Sequence, residues 1–194
     1  MVYTIAEIGN NHNGSLERAI KMVDSAVEAG ADCVKFQMRH MTSVYRKKSL
    51  EKQGEDLGTE YVLDLLERFD LSLDEHRKLF QYCKEKEVTY MCTPWDIESI
   101  KVLKKFGVGA YKVASADLTN MQLIEDLIAT KKPLILSTGM SSESEIKTTV
   151  EFLKEKEAKF VILHCNSTYP APYHDINLSW MNELRKQTPR SILH

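Results

Sequence analysis

The sequence predicts an α/β fold built from repeated strand–helix units around a parallel sheet. Short apolar runs rich in Val, Ile, Tyr and Cys alternate with longer amphipathic stretches. Continuous apolar strands are typical of parallel sheets that helices cover, and strand–helix alternation implies right-handed βαβ crossovers. We expect six complete units in the 194 residues, followed by the start of a seventh strand at Ser191–His194.

The apolar runs give the predicted strands in chain order. They are Tyr3–Ile8, Cys33–Met38, Val88–Thr93, Ala110–Ser115, Pro133–Thr138 and Phe160–Cys165. The predicted helices lie between and after them. They are Leu16–Ala29, Leu73–Lys86, Asp96–Phe106, Asn120–Thr130, Ser142–Glu155 and Asn177–Lys186.

Several residues mark the ends of these helices. Ser15 is placed to cap the first helix, and Gly30 is placed to end it. Ser72 and Ser142 are each followed three residues later by Glu, which is the pattern of a capping box. The polar stretch Arg39–Asp70 interrupts the alternation, with a short helix expected at Glu60–Phe69. It is either a functional lid or a plain surface loop.

Composition and charge exclude several classes of protein. The chain carries 26 Lys and Arg against 28 Asp and Glu, so its formal net charge of −2 gives no support to a nucleic-acid or acidic-membrane partner. No apolar run is long enough to span a membrane, and the first residues do not resemble a secretory signal. The four cysteines are widely spaced, so we expect reduced, buried thiols and a cytoplasmic location.

Polar residues recur where the predicted strands end. They include Glu7, Lys35, Gln37, Thr93, Lys112, Ser115, Asp117, Ser137, Thr138, His164, Asn166 and Ser167. An unpartnered polar group in an apolar strand costs about 1–3 kcal/mol, and in α/β barrels and open sheets this end binds ligands. Two strand lysines with nearby hydroxyls predict a site for an anionic, phosphorylated small molecule. Each lysine alone could instead pair with a buried carboxylate, and His164 and His12 could be core residues.

Six segments, in order, resemble motifs of the sialic acid (N-acetylneuraminate) synthase family. They are Ala6–Ser15, Gly30–Gln37, Cys92–Pro94, Tyr111–Ser115, Leu136–Met140 and His164–Tyr173. The resemblance implies a (β/α)8 TIM barrel and a condensation of phosphoenolpyruvate with an N-acetylated aldose to a nonulosonic acid. Asn13 and Asp117 stand where neuraminate-forming members have Glu, so a legionaminate-like, pseudaminate-like or spore-coat sugar is as plausible as neuraminate.

By the same resemblance, Glu7 is the catalytic candidate, handling protons at the sugar aldehyde. Phosphoenolpyruvate would contact Lys35, Thr93, Lys112, Ser115, Ser137, Asn166 and Ser167. The sugar would meet Gln37, Asp117 and Tyr169. Family members use a divalent metal, Mn²⁺ or Mg²⁺, bound by two histidines that fall beyond His194, so we expect no metal ligand in this chain.

The resemblance further implies that residues 1–194 form part of one barrel, without the family's C-terminal antifreeze-like domain. Family members of full length are homodimers. We therefore expect an enzyme portion, a transferase by family, with little turnover alone. Two alternatives stay open: a Schiff-base aldolase that uses Lys35 or Lys112, and a degenerate barrel fragment that serves as a binding or assembly module.

Overall fold

The computed structural model describes residues 2–44, 66–168 and 170–188. The chain divides into two compact units, Met1–Val108 and Gly109–His194. Each holds a three-stranded parallel sheet, which confirms the predicted α/β character.

The first unit alternates strands and helices in the predicted order. Its elements are β1 (Ile5–Gly9), α1 (Leu16–Glu28), β2 (Cys33–Met38), α2 (Met41–Val44), α3 (Leu73–Glu85), β3 (Thr89–Pro94) and α4 (Ile97–Phe106), with a helical turn at 66–69. The sheet order is β1-β2-β3. Glu7 lies opposite Lys35, and Gln37 lies opposite Thr93. This register brings the polar residues of neighbouring strands side by side.

The helices of the first unit begin and end where their capping residues predict. The Ser15 side chain accepts from the Arg18 amide at the start of α1, and Ser72 forms a complete capping box with Glu75 at the start of α3. Asp96 is the N-cap of α4, where its side chain accepts from the Ser99 amide. Gly107 ends α4 in the left-handed region of backbone angles. Side-chain oxygens thereby satisfy amides that the first turn leaves unbonded.

The core of the first unit lies between its sheet and helices. Its fully buried residues include Ala19, Val23, Cys33, Val34, Phe36, Leu79, Cys83, Cys92 and Leu103. Phe36 stacks on Tyr90 with ring centroids 5.4 Å apart, and Tyr90 shares a hydrogen bond of 2.9 Å with Nδ1 of the buried His76. Cys33, Cys83 and Cys92 are free thiols, as predicted.

The second unit repeats the arrangement. Its elements are β4 (Tyr111–Val113), a 3-10 turn (Ser115–Asp117), α5 (Met121–Ile128), β5 (Leu134–Ser137), α6 (Glu143–Glu155), β6 (Phe160–Leu163), a second 3-10 turn (Tyr173–Asp175) and α7 (Trp180–Gln187). The sheet order is β4-β5-β6. Ser142 and Glu145 form the predicted capping box of α6. The fully buried core residues include Leu118, Ile124, Leu127, Leu134, Leu136, Leu153 and Ile162.

Some predicted bounds were wrong for local reasons. The strand expected at Ala110–Ser115 stops at Val113, because Ser115 already belongs to the 3-10 turn. The helix expected from Asn177 begins at Trp180, because Asn177 has φ of +43°, outside the helical region. The first strand runs to Gly9 rather than ending at Ile8.

Two predicted elements lie partly or wholly outside the described residues. The predicted helix Glu60–Phe69 is described only at 66–69, and the predicted seventh strand at Ser191–His194 lies outside the described residues. In the part of the chain that the structure describes, no helix has the length and apolar character needed to cross a membrane.

Candidate active site

In the first unit, a nearly buried lysine joins a carboxylate and a hydroxyl across three strands. Lys35 Nζ lies 2.5 Å from Glu7 Oε2 and donates to Thr93 Oγ1 at 3.2 Å. The Lys35 side chain is 8% exposed, whereas that of Glu7 is 53% exposed. The buried Lys35 therefore holds the Glu7 carboxylate in place, while the carboxylate stays open to solvent.

Gln37 extends this group along the same face of β2. Arg39 Nη2 donates to Gln37 Oε1 at 2.7 Å. A Cβ on Gly9 would lie 3.0 Å from Glu7 Oε1 and 3.3 Å from Gln37 Nε2, and Gly9 has φ of +52°. Both the backbone angle and the space thus favour glycine at this point. We call Glu7, Lys35, Gln37 and Thr93 the carboxylate cluster.

In the second unit, another buried strand lysine contacts a hydroxyl. Lys112 Nζ donates to Ser137 Oγ at 2.5 Å and to the Val113 carbonyl at 2.6 Å. Lys112 and Ser137 are each 7% exposed. The Cys165 thiol also donates to Ser137 Oγ, at 3.2 Å. The oxygen of Ser137 thus accepts twice, which leaves its own proton available to a ligand.

Gly139 is enclosed by groups from two other segments of the second unit, the turn at Ser115 and the segment after β6. Its amide donates to Ser115 Oγ at 3.0 Å, and its carbonyl accepts from Ser167 Oγ. A Cβ here would lie 3.0 Å from Ser167 Oγ and 3.2 Å from both the Cys165 carbonyl and Ser115 Oγ. We call Lys112, Ser115, Ser137, Gly139 and Ser167 the hydroxyl cluster. An ammonium group with several hydroxyls suits an anion.

The two remaining predicted contacts of the second unit differ from each other. Asp117 Oδ1 accepts from Asn120 Nδ2 at 3.1 Å, while its buried Oδ2 has no hydrogen-bond partner in the described residues. Burial raises the pKa of Asp117 above its ordinary value, against the opposing effect of Asn120. Asn166 instead folds its own loop, since it donates to the Asp175 carbonyl and accepts from the Thr168 amide. Tyr169 lies outside the described residues.

The candidate histidines are held by the fold. His12 is 1% exposed, and its Nδ1 accepts from the Gly14 amide at 3.2 Å. Burial lowers the pKa of His12. His164 Nε2 lies 2.7 Å from the Ile176 carbonyl. Within residues 2–44, 66–168 and 170–188, no three His, Cys, Asp or Glu side chains are grouped as metal ligands.

Three residues that contact these clusters were not predicted from the sequence to belong to a site. Arg39 was counted only as the start of a polar loop, although its period-2 spacing from Gln37 places both on one face. Cys165 was expected in the core but is partly exposed and contacts Ser137. Gly9 was counted only in the first motif, and nothing local indicates that two side chains meet above it.

Comparison with known proteins identifies the family of this chain. The profile of the NeuB family matches residues 22–192. An N,N'-diacetyllegionaminic acid synthase of Campylobacter jejuni is 34% identical over 187 residues, which cover 93% of this chain and 56% of that protein. The N-acetylneuraminate-9-phosphate synthase of Homo sapiens is 31% identical over 190 residues, or 96% of this chain and 53% of that protein.

A solved structure shows the same fold. The sialic acid synthetase of Leptospira borgpetersenii, crystallised with citrate, has a TM-score of 0.86 and 33% identity over 99% of this chain and 63% of that one. The chain spans about half the length of the curated relatives it matches. The match to the family profile covers most of the chain, and the relatives are synthases of sialic-type acids. The chain therefore belongs to the NeuB family.

Proposed function

We propose that this chain carries the substrate-binding residues of a synthase that condenses phosphoenolpyruvate with an N-acetylated aldose. The aldose would be N-acetylmannosamine or a 2,4-diacetamido sugar. The products would be a nonulosonic acid and inorganic phosphate. The observation that carries the proposal is the hydroxyl cluster, which combines a buried lysine with three hydroxyls from motifs typical of these synthases.

The hydroxyl cluster suits the charged groups of phosphoenolpyruvate. Lys112 supplies positive charge, and its contact with Ser137 fixes the ammonium group at the strand end. Ser137 and Ser115 each accept a hydrogen bond from the protein, so their protons can be donated to the ligand. In the first unit, Lys35 and Thr93 are the proposed further contacts.

The carboxylate cluster suits the sugar. Glu7 is the carboxylate of this cluster, and its side chain is half exposed, so it can reach a substrate as a general acid or base. We propose that it handles the proton at the open-chain aldehyde. Gln37 and Asp117 would contact the polar groups of the sugar, as would Tyr169. Such contacts would decide which aldose is accepted. At one of them, this chain has Asp117 where neuraminate-forming members have Glu.

The proposed reaction forms one carbon–carbon bond at C3 of phosphoenolpyruvate and exchanges one carbon–oxygen bond at C2, where the oxygen of water replaces the oxygen that leaves with phosphate. C3 of phosphoenolpyruvate attacks the aldehyde carbon, the aldehyde oxygen takes up a proton, and water adds at C2. Phosphate then leaves with the bridging oxygen. The alternative of a Schiff-base aldolase with a nucleophilic lysine fits less well. Lys35 contacts a carboxylate, and Lys112 donates hydrogen bonds to two acceptors, so both side chains act as hydrogen-bond donors.

A divalent metal does not fit the described residues, because they bring together no group of three metal-ligating side chains. The steps above therefore use only the side chains of this chain. We propose that metal dependence, a closed (β/α)8 barrel and a homodimer are properties of the complete gene product. The 194 residues alone are proposed to have little turnover and to retain weak affinity for phosphoenolpyruvate.

The test is a conversion assay in H₂¹⁸O with the complete product of the gene that encodes this chain. Phosphoenolpyruvate is supplied with N-acetylmannosamine or a 2,4-diacetamido aldose in Mn²⁺ buffer, and products are followed by ³¹P NMR and mass spectrometry. We expect a nonulosonic acid and phosphate without ¹⁸O, since the carbon–oxygen bond breaks. Labelled phosphate would contradict the mechanism, and no condensation with any such aldose would contradict the function.

A further inference from the structure

Arg39 lies next to the carboxylate cluster and holds one of its members. Its Nη2 donates to Gln37 Oε1 at 2.7 Å. A guanidinium group has only donors, so the oxygen of the Gln37 amide must face it. The orientation of the Gln37 amide is therefore fixed by the chemistry of its partner.

The other end of the same amide faces the catalytic candidate. The position of a Cβ on Gly9 would lie 3.3 Å from Gln37 Nε2 and 3.0 Å from Glu7 Oε1. The donor end of Gln37 and the second oxygen of Glu7 thus lie above the same glycine. A donor and an acceptor side by side can bind two different groups of one polar substrate.

Arg39 is itself held firmly. It is 9% exposed, and its guanidinium carbon lies 5.1 Å from the centre of the Trp95 ring. The Trp95 amide donates to the Met38 carbonyl at 3.0 Å, which ties the end of β3 to the end of β2. Stacking on an aromatic ring and a hydrogen bond in the plane of the group leave the guanidinium little freedom.

We propose that Arg39 is a positioning residue that fixes Gln37 with its N–H donors beside Glu7, so that this subsite selects an acceptor oxygen of the sugar. The inference rests on the proposed function, because it assigns Gln37 to the aldose. It adds a residue that contacts no substrate and acts through Gln37. A flipped amide would present its oxygen beside the carboxylate of Glu7 and repel the same acceptor group.

The test compares Arg39→Met, Arg39→Lys, Gln37→Ala and the double variant in the complete gene product. We expect Arg39→Met to raise KM for the aldose about tenfold with KM for phosphoenolpyruvate unchanged, and Arg39→Lys to restore part of the loss. In the Gln37→Ala background, Arg39→Met should have little further effect, because the two residues act as one unit. Equal effects in both backgrounds would overturn the proposal and indicate a purely structural role for Arg39.

A second measurement separates this inference from the proposed function. In ¹⁵N spectra of the ligand-free protein, the Gln37 side-chain amide should give two well-separated proton signals that Arg39→Met moves together. If the wild type condenses no substrates but these signals respond, the function fails and the positioning role stands. If the signals do not respond to Arg39→Met, the positioning role is wrong whatever the activity.

Discussion

The carboxylate cluster and the hydroxyl cluster are each built around a strand lysine of their own unit, but the groups beside the two lysines differ. Both contain a buried lysine whose Nζ contacts a hydroxyl on a neighbouring strand. In the carboxylate cluster, that lysine also holds Glu7, and an amide stands beside it. In the hydroxyl cluster, the neighbours are three serines and the backbone of Gly139.

The difference indicates a division of labour. A half-exposed carboxylate can accept and return a proton, whereas serine hydroxyls and a glycine amide cannot change charge near neutral pH. Hydroxyls and an ammonium group instead bind an anion without taking part in proton transfer. We therefore propose that the proton step belongs to Glu7 and that Lys112 and the serines of the hydroxyl cluster supply most of the binding of phosphoenolpyruvate, with Lys35 and Thr93 as further contacts.

The largest effect should come from removing the charge of Glu7. Glu7→Gln keeps the shape and can still accept from Lys35, but it cannot take up a proton. We expect kcat of the complete gene product to fall by about 10²–10⁴-fold, while affinity for phosphoenolpyruvate changes little. Steady-state kinetics give kcat, and calorimetric titration gives the affinity.

The matched control is Glu17→Gln, at a carboxylate on α1 that is 80% exposed and paired with Lys21. It should leave both quantities unchanged. If Glu7→Gln weakened phosphoenolpyruvate binding but left kcat intact, the assignment of the proton step to the carboxylate cluster would be wrong.

A second prediction concerns the buried His76 on α3, which shares a hydrogen bond with Tyr90 of β3. Burial lowers its pKa to about 4 from the usual 6.5. The unfolded chain therefore binds a proton more readily than the folded protein as pH falls below 6.5, and stability is lost progressively down to the folded-state pKa. From this group alone we expect a loss of about 2 kcal/mol in the free energy of unfolding between pH 7 and pH 5.

Urea unfolding at the two pH values measures this loss, and His76→Leu removes the titrating group. The variant should be less stable at pH 7, since Tyr90 loses its hydrogen-bond partner. Its stability should nevertheless depend less on pH than that of the wild type. The charge of His12, which is present in both proteins, also lowers the pKa of His76. An unchanged pH dependence would show that His76 does not resist protonation in the folded state.

The smallest effect should come from crowding the hydroxyl cluster. Gly139→Ala places a Cβ 3.0–3.2 Å from Ser167 Oγ, the Cys165 carbonyl and Ser115 Oγ, so these groups must shift by a few tenths of an ångström. We expect the Kd of phosphoenolpyruvate to rise by about threefold to tenfold, which corresponds to about 1 kcal/mol. Gly109→Ala is the matched control, because its Cβ would meet nothing within 4 Å.

Much of this arrangement could be predicted from the sequence. Apolar runs and capping residues located the six strands that the structure describes and the main helices, with shifts of a few residues at some ends. The sequence left open that Lys35 pairs with a buried carboxylate, and the structure instead pairs it with Glu7, whose side chain is 53% exposed.

Other features depend on contacts between residues far apart in the chain. Thr93 is 58 residues from Lys35, and Ser167 is 28 residues from Gly139, so only the folded chain shows which hydroxyl meets which group. The donor direction of Gln37 depends on Arg39, whose role no local pattern marks. The bounds of α7 depend on the left-handed conformation of Asn177, which a helical pattern does not reveal.

The most direct test of this division of labour is calorimetric titration of the complete gene product with phosphoenolpyruvate, comparing the wild type with Lys112→Met, Glu7→Gln and Lys147→Met. Lys147 lies exposed on α6 and serves as the charge control, and circular dichroism verifies that each variant folds. We predict that Lys112→Met raises Kd by at least about tenfold, the loss of about 1.4 kcal/mol, while the other two bind as the wild type does. Unchanged binding by a folded Lys112→Met variant, or an equal loss in Glu7→Gln, would contradict the account.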